Sequence, residues 1–179
     1  MRLSSIIVGP IIAITATCAT YGENGDRVRG RQEDMKIMAA AAKRLSDYFS
    51  GKRSYDIDDF RASARQITAR SGERLSAHFK ANIAADGSNA SPSIAIDRSK
   101  FDALARDLER YSRQIADSAE KGDMLPPEMK MRSGEVLEGG PFAKKKAKAD
   151  IGSFSSEHAL HMMLQTCTAC HATFRLKRQ

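Results

Sequence analysis

Residues 99–121 read SKFDALARDLERYSRQIADSAEK. Phe101, Leu104, Leu108, Tyr111, Ile115 and Ser118 recur at spacings of three, four, three, four and three, the repeat of one face of an α-helix. Most positions between them are charged or small. A segment of this kind buries one stripe and wets the rest. Gly122 follows where a left-handed residue would close the helix, so the spacing predicts a helix over 99–121.

Three other segments carry the same repeat. Over 27–49, Val28, Met35, Met38, Ala42, Leu45 and Phe49 form a stripe with Arg31 in its remaining slot, and Gly51 follows as a stop signal. Over 58–80 the stripe is Phe60, Ala64, Ile67, Ser71 and Leu75, and the carboxylates within 56–59 suit a helix N-terminus. The last helix starts at Ser155 or Ser156, either a good N-cap, and runs to about 177 with Leu160, Met163, Cys167, Cys170 and Phe174 on one face. No segment alternates like a strand. Aromatic residues make up only 6% of the chain and Trp is missing, so a core has to come from Ala, Leu, Ile, Met and a few Phe, which suits helices. Four one-sided helices bury all four stripes by packing together. The expected fold is all-α, an antiparallel four-helix bundle with a long connection before the last helix.

The 179 residues suffice for one domain plus a targeting segment. Residues 1–19 read as a signal peptide: Arg2 supplies a positive start, residues 6–16 are apolar, and small residues permit cleavage after Ala19. The apolar run is too short for a stable membrane span, and Thr17 is a poor neighbour for lipidation at Cys18. Residues 20–179 are then a single exported domain, placed in the periplasm, that keeps two cysteines in an oxidising compartment. Residues 84–97, with Gly87, Asn89 and Pro92, read as a loop. Residues 123–153 hold Pro126, Pro127, Gly134, Gly139, Gly140 and Pro141, then Lys144, Lys145, Lys146 and Lys148, and read as an extended surface loop. The lysines are either a solvated segment or a docking patch for an acidic redox partner. The net charge of +7 favours acidic partners in general, while the lack of a basic-aromatic motif argues against nucleic acid.

Chemistry concentrates in Cys167-Thr168-Ala169-Cys170-His171, a C-x-x-C-H sequence. Two thiols at this spacing add across the vinyl groups of a haem, and the adjacent imidazole becomes an axial ligand. With three cysteines and four histidines in the chain, a chance match is expected roughly once in a thousand such sequences. Competing readings are weaker. Zinc wants a second ligand pair, which His158 and His161 supply poorly. A redox dithiol wants a βαβ context, and a plain disulfide leaves His171 unexplained. The expected cofactor is one covalently bound haem c.

Together these residues resemble the cytochrome c′ family, four-helix-bundle c-type cytochromes, over about 26–122 and 154–178. The C-terminal block Cys167-x-x-Cys170-His171-x-x-Phe174-Arg175 matches the family's ending, and Arg31-Gln32-x-x-Met35 resembles its first-helix pattern. The connection over 123–153 is longer than the family's, and Ile94-Ala95-Ile96 stands where an aromatic often precedes the third helix. The resemblance implies that Met35 faces the open side of the haem. A Leu there leaves five-coordinate iron that binds gases, whereas Met completes a six-coordinate, low-spin site suited to electron transfer. Met35 is otherwise a core methionine on the apolar stripe, and Met38 is the substitute ligand. Arg31, four residues before Met35, is placed to pair with a haem propionate, or else is solvent-exposed. Arg175 shapes the proximal pocket or reaches solvent, and His78 is structural. The implied function is non-enzymatic electron transfer. Nitric oxide or carbon monoxide binding is the alternative, and a peroxidase ranks last because no acid–base histidine adjoins Met35. The resemblance also implies a homodimer through the first two helices.

Overall fold

The computed structural model describes residues 18–80, 85–122, 124–132 and 154–176. Its helices are α1 (Cys18–Phe49), α2 (Ile57–Thr68), α3 (Gly72–His78), α4 (Ser93–Ile96), α5 (Arg98–Asp117) and α6 (Ser156–Phe174), with a 3-10 turn at Pro127–Met129. The four arms of the bundle are α1, α2 continued by α3, α5, and α6. α5 is the central arm and packs on α2, α3 and α6, while α1 packs chiefly on α2. No helix among the described residues is long and apolar enough to cross a membrane. The expected signal peptide and the lysines at 144–148 lie almost wholly or wholly outside the described residues.

The stripes meet as the periodicity predicts. Leu45, Phe60, Ala64, Ile67, Leu75, Phe101, Leu108, Ile115, Leu160, Met163 and Phe174 are all buried in one core. At the end where α1 passes to α2, Tyr48, Phe49, Tyr55 and Phe60 pack edge-on or tilted, with ring centroids 5.6–6.0 Å apart. Asp56 caps α2 by accepting from the backbone N–H of Asp58 and Asp59, each at 2.9 Å. Ser155, one of the two anticipated caps, accepts from the His158 N–H at 3.2 Å and starts α6.

Several boundaries differ from the sequence reading, and α1 begins at Cys18, well before the expected 27. The expected helix over 58–80 breaks at residues 69–71. There the buried Ser71 hydroxyl donates to the Ile67 carbonyl at 2.8 Å, ending one helix, and Gly72 takes φ +59° to start the next. A Cβ at Gly72 would run into the Glu109 carboxylate on α5, so the break also lets α3 lie close to α5. The helix expected over 99–121 stops at Asp117, and Gly122 is not left-handed. Side chains from elsewhere satisfy the carbonyls beyond that point: Arg61 donates to Ala119 O at 2.9 Å and the Tyr55 hydroxyl to Glu120 O at 2.7 Å. Residues 93–96, read as loop, form the helical turn α4, with Ile94 buried. The connection after α5 begins with a packed segment, where Met129 is buried and the Met131 N–H donates to Glu157 Oε2 at 2.7 Å.

Two outcomes follow for stability. Gly72→Ala is expected to lower the unfolding free energy by about 1.5 kcal/mol, because a left-handed conformation costs an L-residue roughly 1–2 kcal/mol and Glu109 must also move; urea denaturation measures it. The buried Tyr48 hydroxyl donates to Asp59 Oδ2 at 2.6 Å, so Tyr48→Phe is expected to cost about 1.5 kcal/mol at neutral pH. Burial, and next the Asp59 bond, raise the Tyr48 pKa above its ordinary 10.0. A raised folded-state pKa means that this contribution is full below pH 10 and is lost as the pH climbs through the folded value. The gap between the native protein and Tyr48→Phe is therefore expected to narrow in denaturation series run above pH 10.

Candidate functional site

Towards the other end of the bundle the arms part around a cleft of about 440 Å³, within the size range of ligand pockets. α1 contributes Val28, Arg31, Gln32 and Met35; α3 with the residue after it contributes Leu75 and Phe79; α5 contributes Phe101. α6 and the residue after it contribute Cys170, His171, Phe174 and Arg175, and residues 88–90 form the rim. The walls are mainly apolar, since each bundle stripe runs into the cleft at this level.

Five of the six residues singled out from the sequence line this one cleft: Met35, Arg31, Cys170, His171 and Arg175. The sixth, Cys167, lies one helical turn before Cys170, half-buried against the core and outside the lining. Met35 is half-buried, whereas Met38, the substitute candidate, is 7% exposed within the core and does not line the cleft. Arg31 is not solvent-exposed. It is 5% accessible, its Nε donates to His78 O at 2.8 Å, and its guanidinium lies 4.6 Å over the Phe79 ring. Arg175 is exposed at the cleft edge. His158 is buried and stacked on Phe154 at 4.3 Å, while the neighbouring His161 is exposed, so the two do not share an environment.

The end of α6 is held in place by main-chain pairing. Ser91 N–H donates to Phe174 O at 2.9 Å, Leu176 N–H to Asn89 O at 2.8 Å, and the Ser93 hydroxyl to Thr173 O at 3.0 Å. The bonds to Thr173 O and Phe174 O take up carbonyls that a helix C-terminus leaves open. They end α6 at Phe174, short of the anticipated 177, because Arg175 is extended and bridges Ala90. Across the cleft, Gln32 donates to Gly87 O at 3.0 Å, and Gly87 has φ +77°.

The donors are uncharged. Burial pushes the Cys167 thiol up, and burial followed by the Cys167 charge pushes Cys170 up to about 11, so both are neutral thiols near pH 7. Neither forms a disulfide. Partial burial, and then the Arg175 charge, lower the His171 pKa, which favours the neutral imidazole that a metal requires. Two free thiols one turn apart, a neutral imidazole and a mostly apolar cleft fit the donor set of a covalently attached haem.

The sequence reading missed the polar group beside this site. Asp34, 8% exposed, meets Arg70 Nε at 3.1 Å, Arg74 NH2 at 3.3 Å and His78 Nε2 at 3.2 Å. Arg70, Arg74 and His78 recur at spacing four, and Asp34 sits beside the apolar stripe of α1, three residues after Arg31 and next to Met35. Those two signals together would have found it. His78 is structural, as expected, through this carboxylate and through its carbonyl to Arg31.

The family model for Cytochrome C′ matches residues 26–138, which takes in the Arg31-Gln32-x-x-Met35 block and stops before Cys167. No curated protein matches the chain. Among solved structures, cytochrome c′ from Thermochromatium tepidum is 20% identical, with a TM-score of 0.59 over 86% of this chain and 98% of that one. Cytochrome c′ from Shewanella frigidimarina is 16% identical at a TM-score of 0.59, covering 86% of this chain and 97% of its own. A nitric oxide complex of a mutant cytochrome c′ from Alcaligenes xylosoxidans is 19% identical at 0.58, covering 86% and 97%. At these identities the structures show a common fold, the four-helix bundle. With more than half of its residues matched by the family model, the chain belongs to the cytochrome c′ family, whose members carry a covalently attached haem c.

Proposed function

We propose that the chain is an exported, periplasmic monohaem cytochrome that transfers electrons through a haem c bonded to Cys167 and Cys170 and ligated by His171 and Met35. The observation that carries this reading is the meeting of Met35 from α1 with Cys170 and His171 from α6 at one apolar cleft. Haem iron supplies a one-electron couple when bound. The chain's own residues do the rest. His171 offers a neutral imidazole. Met35 offers a soft, uncharged thioether, which favours the reduced state and tends to raise the potential. Val28, Leu75, Phe79 and Phe101 give the cleft apolar walls that favour a haem over water. Arg31, which lines the cleft and is held by His78 O and Phe79, would pair with a propionate, and Arg175 supplies a second positive charge at the rim.

The basic chain, with a net charge of +7, suits acidic redox partners, and a homodimer through α1 and α2 accords with the family. Electron transfer is preferred to enzymatic turnover because, among the described residues, the cleft is lined by no histidine besides the ligand His171 that could serve as an acid–base group. A second reading, gas binding, draws support from the nitric oxide complexes of a related cytochrome c′ from Alcaligenes xylosoxidans, and it requires Met35 to be absent from the iron or easily displaced.

Absorption spectra of protein matured with haem test both readings. The ferric native protein is expected to be low-spin, and Met35→Leu to be high-spin with a lower potential and faster carbon monoxide uptake by the ferrous form. Changing Cys167 and Cys170 together to Ser is expected to release the haem on acid-acetone extraction. A high-spin native spectrum would replace methionine ligation with the gas-binding reading. Haem retained without the two thiols would overturn the attachment site.

A further inference from the structure

Across the cleft from α3, α1 depends on polar links. Its helix packing is chiefly against α2, while Val28 and Met35 on α1 and Leu75 and Phe79 on the α3 side form opposite walls of the open cleft. Polar links cross there at two places: Arg31 Nε to His78 O at 2.8 Å, and the Asp34 carboxylate. The second is the more constrained. Oδ1 faces Arg70 Nε at 3.1 Å, and Oδ2 faces both Arg74 NH2 at 3.3 Å and His78 Nε2 at 3.2 Å. Arg74 and His78, one turn apart on α3, and Arg70 in the break before it, an ion pair without a hydrogen bond, therefore surround one carboxylate. The Asp34 side chain is only 11% exposed, so water cannot replace its partners cheaply.

Asp34 immediately precedes Met35. A carboxylate held from several sides fixes the rotation of the helix turn that carries it. Rotating that turn by about 15° would carry a side-chain tip at a radius of about 5–6 Å through roughly 1.5 Å. Metal–ligand distances tolerate only about 0.2 Å. Apolar packing of a flexible methionine does not set its sulfur so closely, whereas a charge lattice one residue away does.

We propose that Asp34, clamped by Arg70, Arg74 and His78, is the positioning residue for Met35, holding its thioether towards the His171 side of the cleft and so setting how far the distal position is open to exogenous ligands. This rests on the reading of Met35 as the distal ligand. Asp34 acts through the helix turn and does not itself touch the iron. Removing its charge should leave the fold but let the turn carrying Met35 rotate, so that part of the population presents an open distal site. Gas binding then scales with that open fraction.

The test uses the full chain matured with haem and compares Asp34→Asn, the milder Arg74→Gln, Met35→Leu as calibration, and Tyr48→Phe as a destabilised control remote from the cleft. The measurements are ferric spin state, the rate of carbon monoxide binding to the ferrous form, and hydrogen exchange of the α1 amides over 31–38. Asp34→Asn is expected to show a mixed-spin ferric spectrum, carbon monoxide binding faster by about tenfold, and exchange raised within 31–38. Arg74→Gln should move the same way by less, and Tyr48→Phe should leave spin state and binding rate at native values. The proposal is overturned if Met35→Leu turns high-spin while Asp34→Asn and Arg74→Gln keep the native spin state and rate. If Asp34→Asn does not accumulate as folded protein, Arg74→Gln decides by the same criterion. If Met35→Leu itself changes nothing, the ligation reading has failed first, and the positioning role falls with it.

Discussion

A row of side chains joins the arms of the bundle at the level of the cleft. The Arg31 guanidinium lies over Phe79, Phe79 meets Phe101 edge-on at 5.2 Å, and Phe101 meets Phe174 edge-on at 5.4 Å. The row runs from α1, through the residue after α3, to α5 and α6. Edge-to-face aromatic pairs add about 0.5–1.5 kcal/mol each beyond their buried area, and a cation over a ring of this kind adds a comparable amount. More important is what the row holds in place. It sets the spacing between the helix that carries Met35 and the helix that carries Cys170 and His171, while leaving the space between them open. The remaining features of the site, including the Asp34 clamp and the pairing of residues 89–91 with the end of α6, refine a geometry that this row establishes.

The distribution of charge follows from the same arrangement. Groups that would face an iron or form thioethers are uncharged: two thiols raised by burial, an imidazole lowered by burial and Arg175, and a thioether. Charged groups are tied to other partners or lie at the rim. Arg31 is tied to a carbonyl and a ring, and the Asp34 carboxylate is ringed by basic side chains. A haem brings its own charges, on the iron and on its propionates. A mostly apolar cleft with cations at its edges suits both, since a low dielectric strengthens the pairing of propionate with arginine where it is made.

Much of this was legible beforehand. Each apolar stripe names the face that is buried, and Phe60, Ala64, Ile67, Ser71 and Leu75 are all buried. The caps at Asp56 and Ser155 could be read because capping is a local contest between a short polar side chain and the backbone. What misled was equally physical. Ser71 continues the stripe in register, so periodicity ran straight through the break at 69–71, although Gly72 stood beside it. Gly122 looked like a terminator for α5, but Arg61 and Tyr55 take up the late carbonyls and let the helix end at Asp117. Arg31 could be assigned to the cleft but not to its partners, because the His78 carbonyl and the Phe79 ring lie far along the chain.

The amino-acid sequence alone determined the helical class, the faces to be buried, and the chemistry of the C-x-x-C-H segment, because helix repeat and thiol–imidazole spacing are properties of a few successive residues. Tertiary structure alone decided that Met35 and His171 share a cleft, that Met38 belongs to the core, and that Asp34 is clamped by Arg70, Arg74 and His78. Those outcomes depend on how one helix is rotated against another. Rotation is set by the summed packing and pairing of residues far apart in the chain, which no local spacing encodes.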